Sequence, residues 1–212
     1  MEKFEFKIGQ NLPQKPESSK EKESEEKEKE IKSKIEDFVK KYFESEKEGV
    51  KRISLDAIKE LKEKGITTEQ LLDFLCQERG VLLHGSIYEI PEDKLKSRNK
   101  KIYATNKGAI AIMRSLYSNL NVCLEYPYHI TEKKPLVLKI HTPPDGKFIK
   151  TERGFVYVVN KKGFKNRPRG SWQFIKKADE VEFIAVVETE EDDFKYPVKV
   201  LKDYLELKHP KP

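Results

Sequence analysis

Hydrophobic positions in the first third of the chain recur at helical intervals. Ile31, Ile35, Phe38, Val39, Tyr42 and Phe43 stand three and four apart, which predicts an amphipathic helix ending near Glu48-Gly49. Ser54 precedes a second helix with Leu55, Ile58 and Leu61 on one face and Gly65 as its stop. Thr67-Thr68-Glu69-Gln70 is a capping box that opens a third, with Leu71, Leu72, Leu75 and Cys76 inward and Gly80 at the end. Helices two and three form a hairpin of the kind that covers a sheet or bundle, or binds a partner.

From residue 81 the period changes. Val81-Leu82-Leu83 reads as a short buried strand, 89–100 as polar loop, and Ile102-Tyr103-Ala104 as a second strand. Thr105 or Asn106 is placed to cap a helix carrying Ala109, Ile110, Ile112, Met113, Leu116 and Tyr117. Further strands are expected at 120–126, 135–141, 155–159, 171–175, 182–188 and 198–201, most bounded by Pro, Gly, Asn or charged turns. One helix among many strands argues for an α+β, mostly antiparallel sheet rather than alternating βαβ units. Near the start, Phe4, Phe6 and Ile8 alternate, as in an edge strand or a docking peptide.

Composition separates the ends of the chain. Residues 13–34 hold almost nothing to bury, so they are expected to be disordered or a solvated helix. The resulting organisation is a flexible charged segment over 1–30, a helical accessory region over 31–80, a sheet domain over 81–205 and a tail over 206–212. Residues 1–79 carry 18 Lys/Arg against 20 Asp/Glu, whereas residues 80–212 carry 25 against 17. The sheet region is therefore the basic part, suited to phosphates on a nucleotide or nucleic acid, although a solvated Lys/Glu surface gives the same count. No apolar run is long enough for a membrane span and no signal peptide is evident, so a soluble cytoplasmic protein without a membrane partner is expected. Cys76 and Cys123 sit in apolar patterns, as small buried hydrophobes do, and no Cys/His cluster predicts a metal.

The chemistry-bearing signals are few. There is no phosphate-loop, GxGxxG, HExxH or GxSxG motif. His129 and His141 flank strand-like runs and His209 lies in a Lys/Pro-rich tail, positions that need no chemical role. His84 differs because it ends an apolar strand and is followed by Gly85 and Ser86. A glycine lets a flat ligand approach the backbone, and an imidazole can bond a ribose hydroxyl. Tyr103, on the next strand, offers a ring face and a phenol. A satisfied core histidine fits the same pattern.

His84-Gly85-Ser86, then Tyr103-Ala104-Thr105 running into Ala109-Ile110-Ala111, resembles the ADP-ribosyltransferase fold. The likeness is to its His-Tyr-Glu branch: the diphtheria-toxin-like enzymes, the poly(ADP-ribose) polymerases and the tRNA 2′-phosphotransferases. It covers roughly residues 80–190. The resemblance implies a split sheet and NAD as substrate, with no metal. His84 would bond the nicotinamide-ribose hydroxyl, the Gly85 backbone would hold the amide and Tyr103 would stack on the ring, while Ser86 and Thr105 would support the wall. The branch's third residue, a glutamate that stabilises the developing ribose cation, falls on Gln173 within Gly170-Ser171-Trp172-Gln173-Phe174-Ile175, and glutamine carries no charge. Glu188 is the alternative third residue.

The basic run at 161–170 is expected to be a flexible loop in which Lys161, Lys162, Lys165, Arg167 and Arg169 contact a nucleic acid, or are merely solvated. The implied function is transfer of ADP-ribose from NAD to a macromolecule, nucleic acid or protein. The alternatives are a catalytically impaired nucleotide- or nucleic-acid-binding module and a non-enzymatic interaction protein.

Overall fold

The computed structural model describes residues 19–44, 49–97, 99–118, 122–143 and 147–201. Helix α1 (Ser19–Tyr42) is followed by strand β1 (Lys51–Ile53), helices α2 (Leu55–Glu63) and α3 (Thr68–Glu78), and strands β2 (Val81–Ser86), β3 (Lys94–Lys96) and β4 (Ile102–Thr105). Helix α4 (Gly108–Leu116) precedes β5 (Cys123–Glu125), β6 (Leu138–His141), β7 (Arg153–Asn160), β8 (Lys165–Asn166), β9 (Gln173–Lys176), β10 (Glu180–Glu190) and β11 (Val198–Leu201). The α+β expectation holds. The main sheet runs β1-β10-β7-β2-β4-β9-β8, with β3 on the start of β10; β1 is parallel to β10 and the other pairs are antiparallel. A second sheet runs β11-β6-β5.

The α2–α3 hairpin has the expected signals. Ser54 Oγ accepts from Ala57 N, and Thr67 and Gln70 form the reciprocal capping box. Helix α1 begins at Ser19, and residues 26–30 are exposed along it; Lys34 pairs with Glu30 one turn back at 2.7 Å. The proposed strand at Phe4–Ile8 and the tail at 206–212 lie outside the described residues.

Residues 31–80 do not form a separate layer. Ile35, Phe38, Ile58, Leu61, Leu71 and Leu75 share one core with α4 and one face of the sheet, and β1 joins that sheet. Alternation along the strands feeds two cores: Val81, Leu83, Val156 and Val158 face the helices, while Leu82, Tyr157 and Val159 face the other side. Phe183 and Ala185 lie in opposite cores although two residues apart, because a register shift between them turns the strand; Ile184, between them, is 49% exposed.

Four local expectations need correction. The 89–100 segment is not all loop, since β3 pairs with β10 around buried Leu95. The 161–170 run is not a free loop, since Lys165 and Asn166 pair with Ile175 and Phe174. Helix α4 is capped by neither Thr105 nor Asn106. Its N-cap is Lys107, without a side-chain bond, and the Gly108 amide is taken by Asp73 Oδ1 of α3 at 2.6 Å. Cys123 is exposed on β5 rather than buried, because its strand pairs only with β6. Cys76 is half-buried, and burial pushes its thiol up to about 12.

Candidate functional site

The site begins where the sheet opens. β2 is in register with β7 from Val81 through Ser86, but with β4 only at Leu83 opposite Thr105. Beyond that point β2 and β4 part, and the edge of β2 has no β4 partner. The His84 ring bridges the gap: its Nδ1 lies 2.7 Å from the Tyr103 carbonyl. A carbonyl only accepts, so Nδ1 carries the proton and Nε2 of the neutral ring is an acceptor. Desolvation lowers the His84 pKa, the Tyr103 carbonyl opposes that, and the charge of Arg114 adds to the lowering. The ring is therefore neutral near pH 7.

A cavity of about 650 Å³ fills the opening, a size that accommodates a nucleotide. His84, Gly85, Ser86, Tyr103, Thr105 and Gln173 all line it. Tyr103 is 40% exposed. Ser86 Oγ accepts from Tyr88 N at 3.1 Å and Thr105 Oγ1 from Lys107 N at 3.1 Å, so both hydroxyls brace turns of the wall. Gln173 stands opposite Thr105 in the β4–β9 ladder. Its backbone carbonyl accepts from Arg167 N at 3.0 Å and Asn166 Nδ2 at 2.8 Å, which ties the basic hairpin to this point of the cavity.

Gly85 has a different use from the one its sequence suggests. A Cβ there would lie 2.1 Å from the Ala111 carbonyl oxygen and 2.8 Å from Arg114 Cβ. The close neighbour of Gly85 is helix α4, not a ligand. Gly154 on β7 does the same for the Ser115 carbonyl oxygen, at 2.1 Å. The two glycines let α4 lie against the sheet, and Ser115 Oγ then bonds Thr189 Oγ1 beneath it at 2.7 Å. The close packing sets Ile110, Ala111 and Arg114 in the cavity wall.

Glu188 does not reach the cavity. Its Oε2 accepts from Leu55 N at 3.0 Å and its Oε1 pairs with Arg153, so it anchors the start of α2. A partly buried carboxylate beside a helix N-terminus is a structural arrangement. Among the described residues, no Asp or Glu lines the cavity.

Sequence reasoning did not single out Tyr88, Lys96, Arg114 or Tyr126, which line the cavity together with Trp172. Trp172 is buried, as a core residue, with Nε1 donating to the Pro127 carbonyl at 2.6 Å and its ring stacked on Tyr128 with centroids 5.6 Å apart. It is also a wall of a second cavity of about 230 Å³, with Asn106, Lys107, Tyr128 and His129. The helical spacing of Arg114 on α4 is legible in sequence; its direction depends on the approach of α4 to Gly85. Lys161, Lys162, Lys165, Arg167 and Arg169 are all exposed around the β8–β9 hairpin, and none forms an ion pair among the described residues. His141 is buried with Nε2 3.1 Å from Glu125 Oε2 and lines neither cavity, and His209 lies outside the described residues.

Among the described residues, no group of three His, Cys, Asp or Glu could hold a metal, and no helix is long and apolar enough to cross a membrane. No protein-family model, curated protein or solved structure matches the chain. The geometry of the cavity is therefore what bears on function.

Proposed function

We propose that the protein binds NAD in the 650 Å³ cavity, on an ADP-ribosyltransferase-like fold, and transfers ADP-ribose to a nucleic acid. One observation carries the reading: six residues chosen from three separate sequence motifs, His84, Gly85, Ser86, Tyr103, Thr105 and Gln173, line one cavity at an opening in the sheet. In this reading His84 Nε2 accepts from a ribose hydroxyl, Tyr103 stacks on the nicotinamide ring, and the open edge of β2 at Gly85 meets the amide. The acceptor comes over the β8–β9 hairpin, whose exposed cations lead to Gln173.

A second reading is favoured by the absence of Asp and Glu from the cavity lining among the described residues. An oxocarbenium-like ribose gains little from the neutral Gln173 amide. The site would then bind nucleotide without turning it over.

Labelled NAD and single-stranded oligonucleotides separate the two. Transfer predicts nicotinamide release together with label on the oligonucleotide, both raised in Gln173→Glu. Binding alone predicts a saturable NAD signal with neither. A wild type and a Gln173→Glu variant that both bind NAD but release no nicotinamide would remove the transferase reading.

A further inference from the structure

Arg114 is a cation in a cavity that no carboxylate lines among the described residues. It stands in the last turn of α4, beside the end of β2 that carries His84, with its Cβ 2.8 Å from where a Gly85 Cβ would be. Its guanidinium lies 5.6 Å from the centre of the Tyr126 ring. Arg52, Arg79 and Arg153 each meet a glutamate, whereas Arg114 forms no ion pair among the described residues. Lys96, the other cation on the lining, is paired with Glu92 at 2.6 Å. A helix C-terminus and an aromatic face each suit an arginine. Neither requires it to point into a cavity.

His84 supplies the complementary group. Its Nε2 is an acceptor, while Arg114 offers a planar fork of donors that matches phosphate. An acceptor for a hydroxyl and a fork for an anion on one wall suit a phosphorylated sugar. A pyridinium ring beside Arg114 would instead meet like charge in a partly desolvated site.

We propose that the cavity takes a phosphorylated ribonucleotide with its phosphate on Arg114 and a ribose hydroxyl on His84 Nε2. The proposal deepens the NAD reading and rests on it for the nucleotide, but not for the anion. Within NAD, the diphosphate rather than the nicotinamide lies against Arg114.

Trp172 is the chain's single tryptophan and lines the cavity, so its emission reports occupancy. The full chain is titrated with ADP-ribose, NAD, adenosine and inorganic pyrophosphate. ADP-ribose is expected to bind at least as tightly as NAD, and adenosine more weakly than either. Arg114→Gln should weaken ADP-ribose about ten- to hundredfold and leave adenosine unchanged. Arg114→Lys, which keeps the charge and the fold but not the fork, should fall between. Equal ADP-ribose affinity in wild type and Arg114→Gln, or binding of NAD but not of ADP-ribose, overturns the proposal and leaves the NAD reading standing. Arg114-dependent binding of pyrophosphate without either nucleotide keeps the anion site and removes the nucleotide. No binding by any of the four overturns both.

Discussion

The two ends of the sheet treat charge in opposite ways. Around α2 and β10, cations are matched to carboxylates. Lys62 lies 2.8 Å from both Asp193 and Glu190, Arg153 pairs with Glu188, and Lys41 meets Glu60 at 2.9 Å. Burial works against the charge on Lys62, yet Asp193 and Glu190 outweigh it and hold its pKa above the ordinary value. Around β2, β4 and β9, Lys96 is paired with Glu92, but Arg114 in the cavity and Lys165, Arg167 and Arg169 on the hairpin form no ion pair among the described residues. Matched charges fix positions within the fold, and unmatched ones remain available for an anion from outside. The first end should respond to mutation in stability, the second in binding.

The largest expected effect is at the matched end. The Asp193 side chain is 1% exposed, and it accepts from Thr68 Oγ1 at 2.6 Å and Glu190 N at 2.9 Å beside Lys62. Asp193→Ala takes one carboxylate away from a partly buried Lys62, which should cost about 3–5 kcal/mol in urea unfolding. A cost no greater than that of a hairpin substitution would erase the contrast between the two ends.

Next come the glycines that seat α4. Gly85→Ala and Gly154→Ala force a methyl against backbone, and each should cost about 1–3 kcal/mol. Gly85→Ala should also weaken nucleotide binding, because displacing α4 moves Arg114. Unchanged stability in both variants would mean that α4 does not lie so close to the sheet.

At the unmatched end, replacing Lys165, Arg167 and Arg169 together with Gln should change stability by only about 0.5 kcal/mol per site. The salt dependence of oligonucleotide binding should nevertheless become shallower, by about one unit of slope for each phosphate the variant no longer neutralises. An unchanged slope would remove the hairpin from the nucleic-acid surface.

The smallest effect concerns pH. The folded pKa of His84 is depressed, so the unfolded chain takes up its proton first as pH falls. The stability from this group is therefore full above the unfolded histidine value of about 6.5 and is lost as pH falls below it. His84→Gln should flatten that limb of the stability curve, and an unchanged limb would argue against a desolvated neutral ring.

Much of the fold is legible along the chain. Ser54 and Thr67 cap the helices their positions predict, and the strand patterns at 155–159 and 182–188 match β7 and β10. The failures have physical causes. β3 buries Leu95 alone, so a three-residue strand offers no alternation to read. The cap of α4 comes from Asp73, distant in sequence, and no local signal announces it. Gly85 stands out in the sequence for the right property, a missing Cβ, but the space is filled by α4. The place of Arg114 on α4 is legible in the sequence, but its surroundings exist only once β2, β4 and β9 are assembled. Glu188 stands at the end of its strand pattern rather than at the head, and only the folded chain ties it to Leu55 and Arg153.

Calorimetric titration of NAD into the wild type, His84→Ala and Tyr103→Ala tests the central claim most directly. Saturable binding by the wild type, abolished in both variants while their unfolding curves remain cooperative, is the predicted result. A wild type that takes up no NAD at millimolar concentration, or variants that bind it as the wild type does, would contradict the assignment of the cavity.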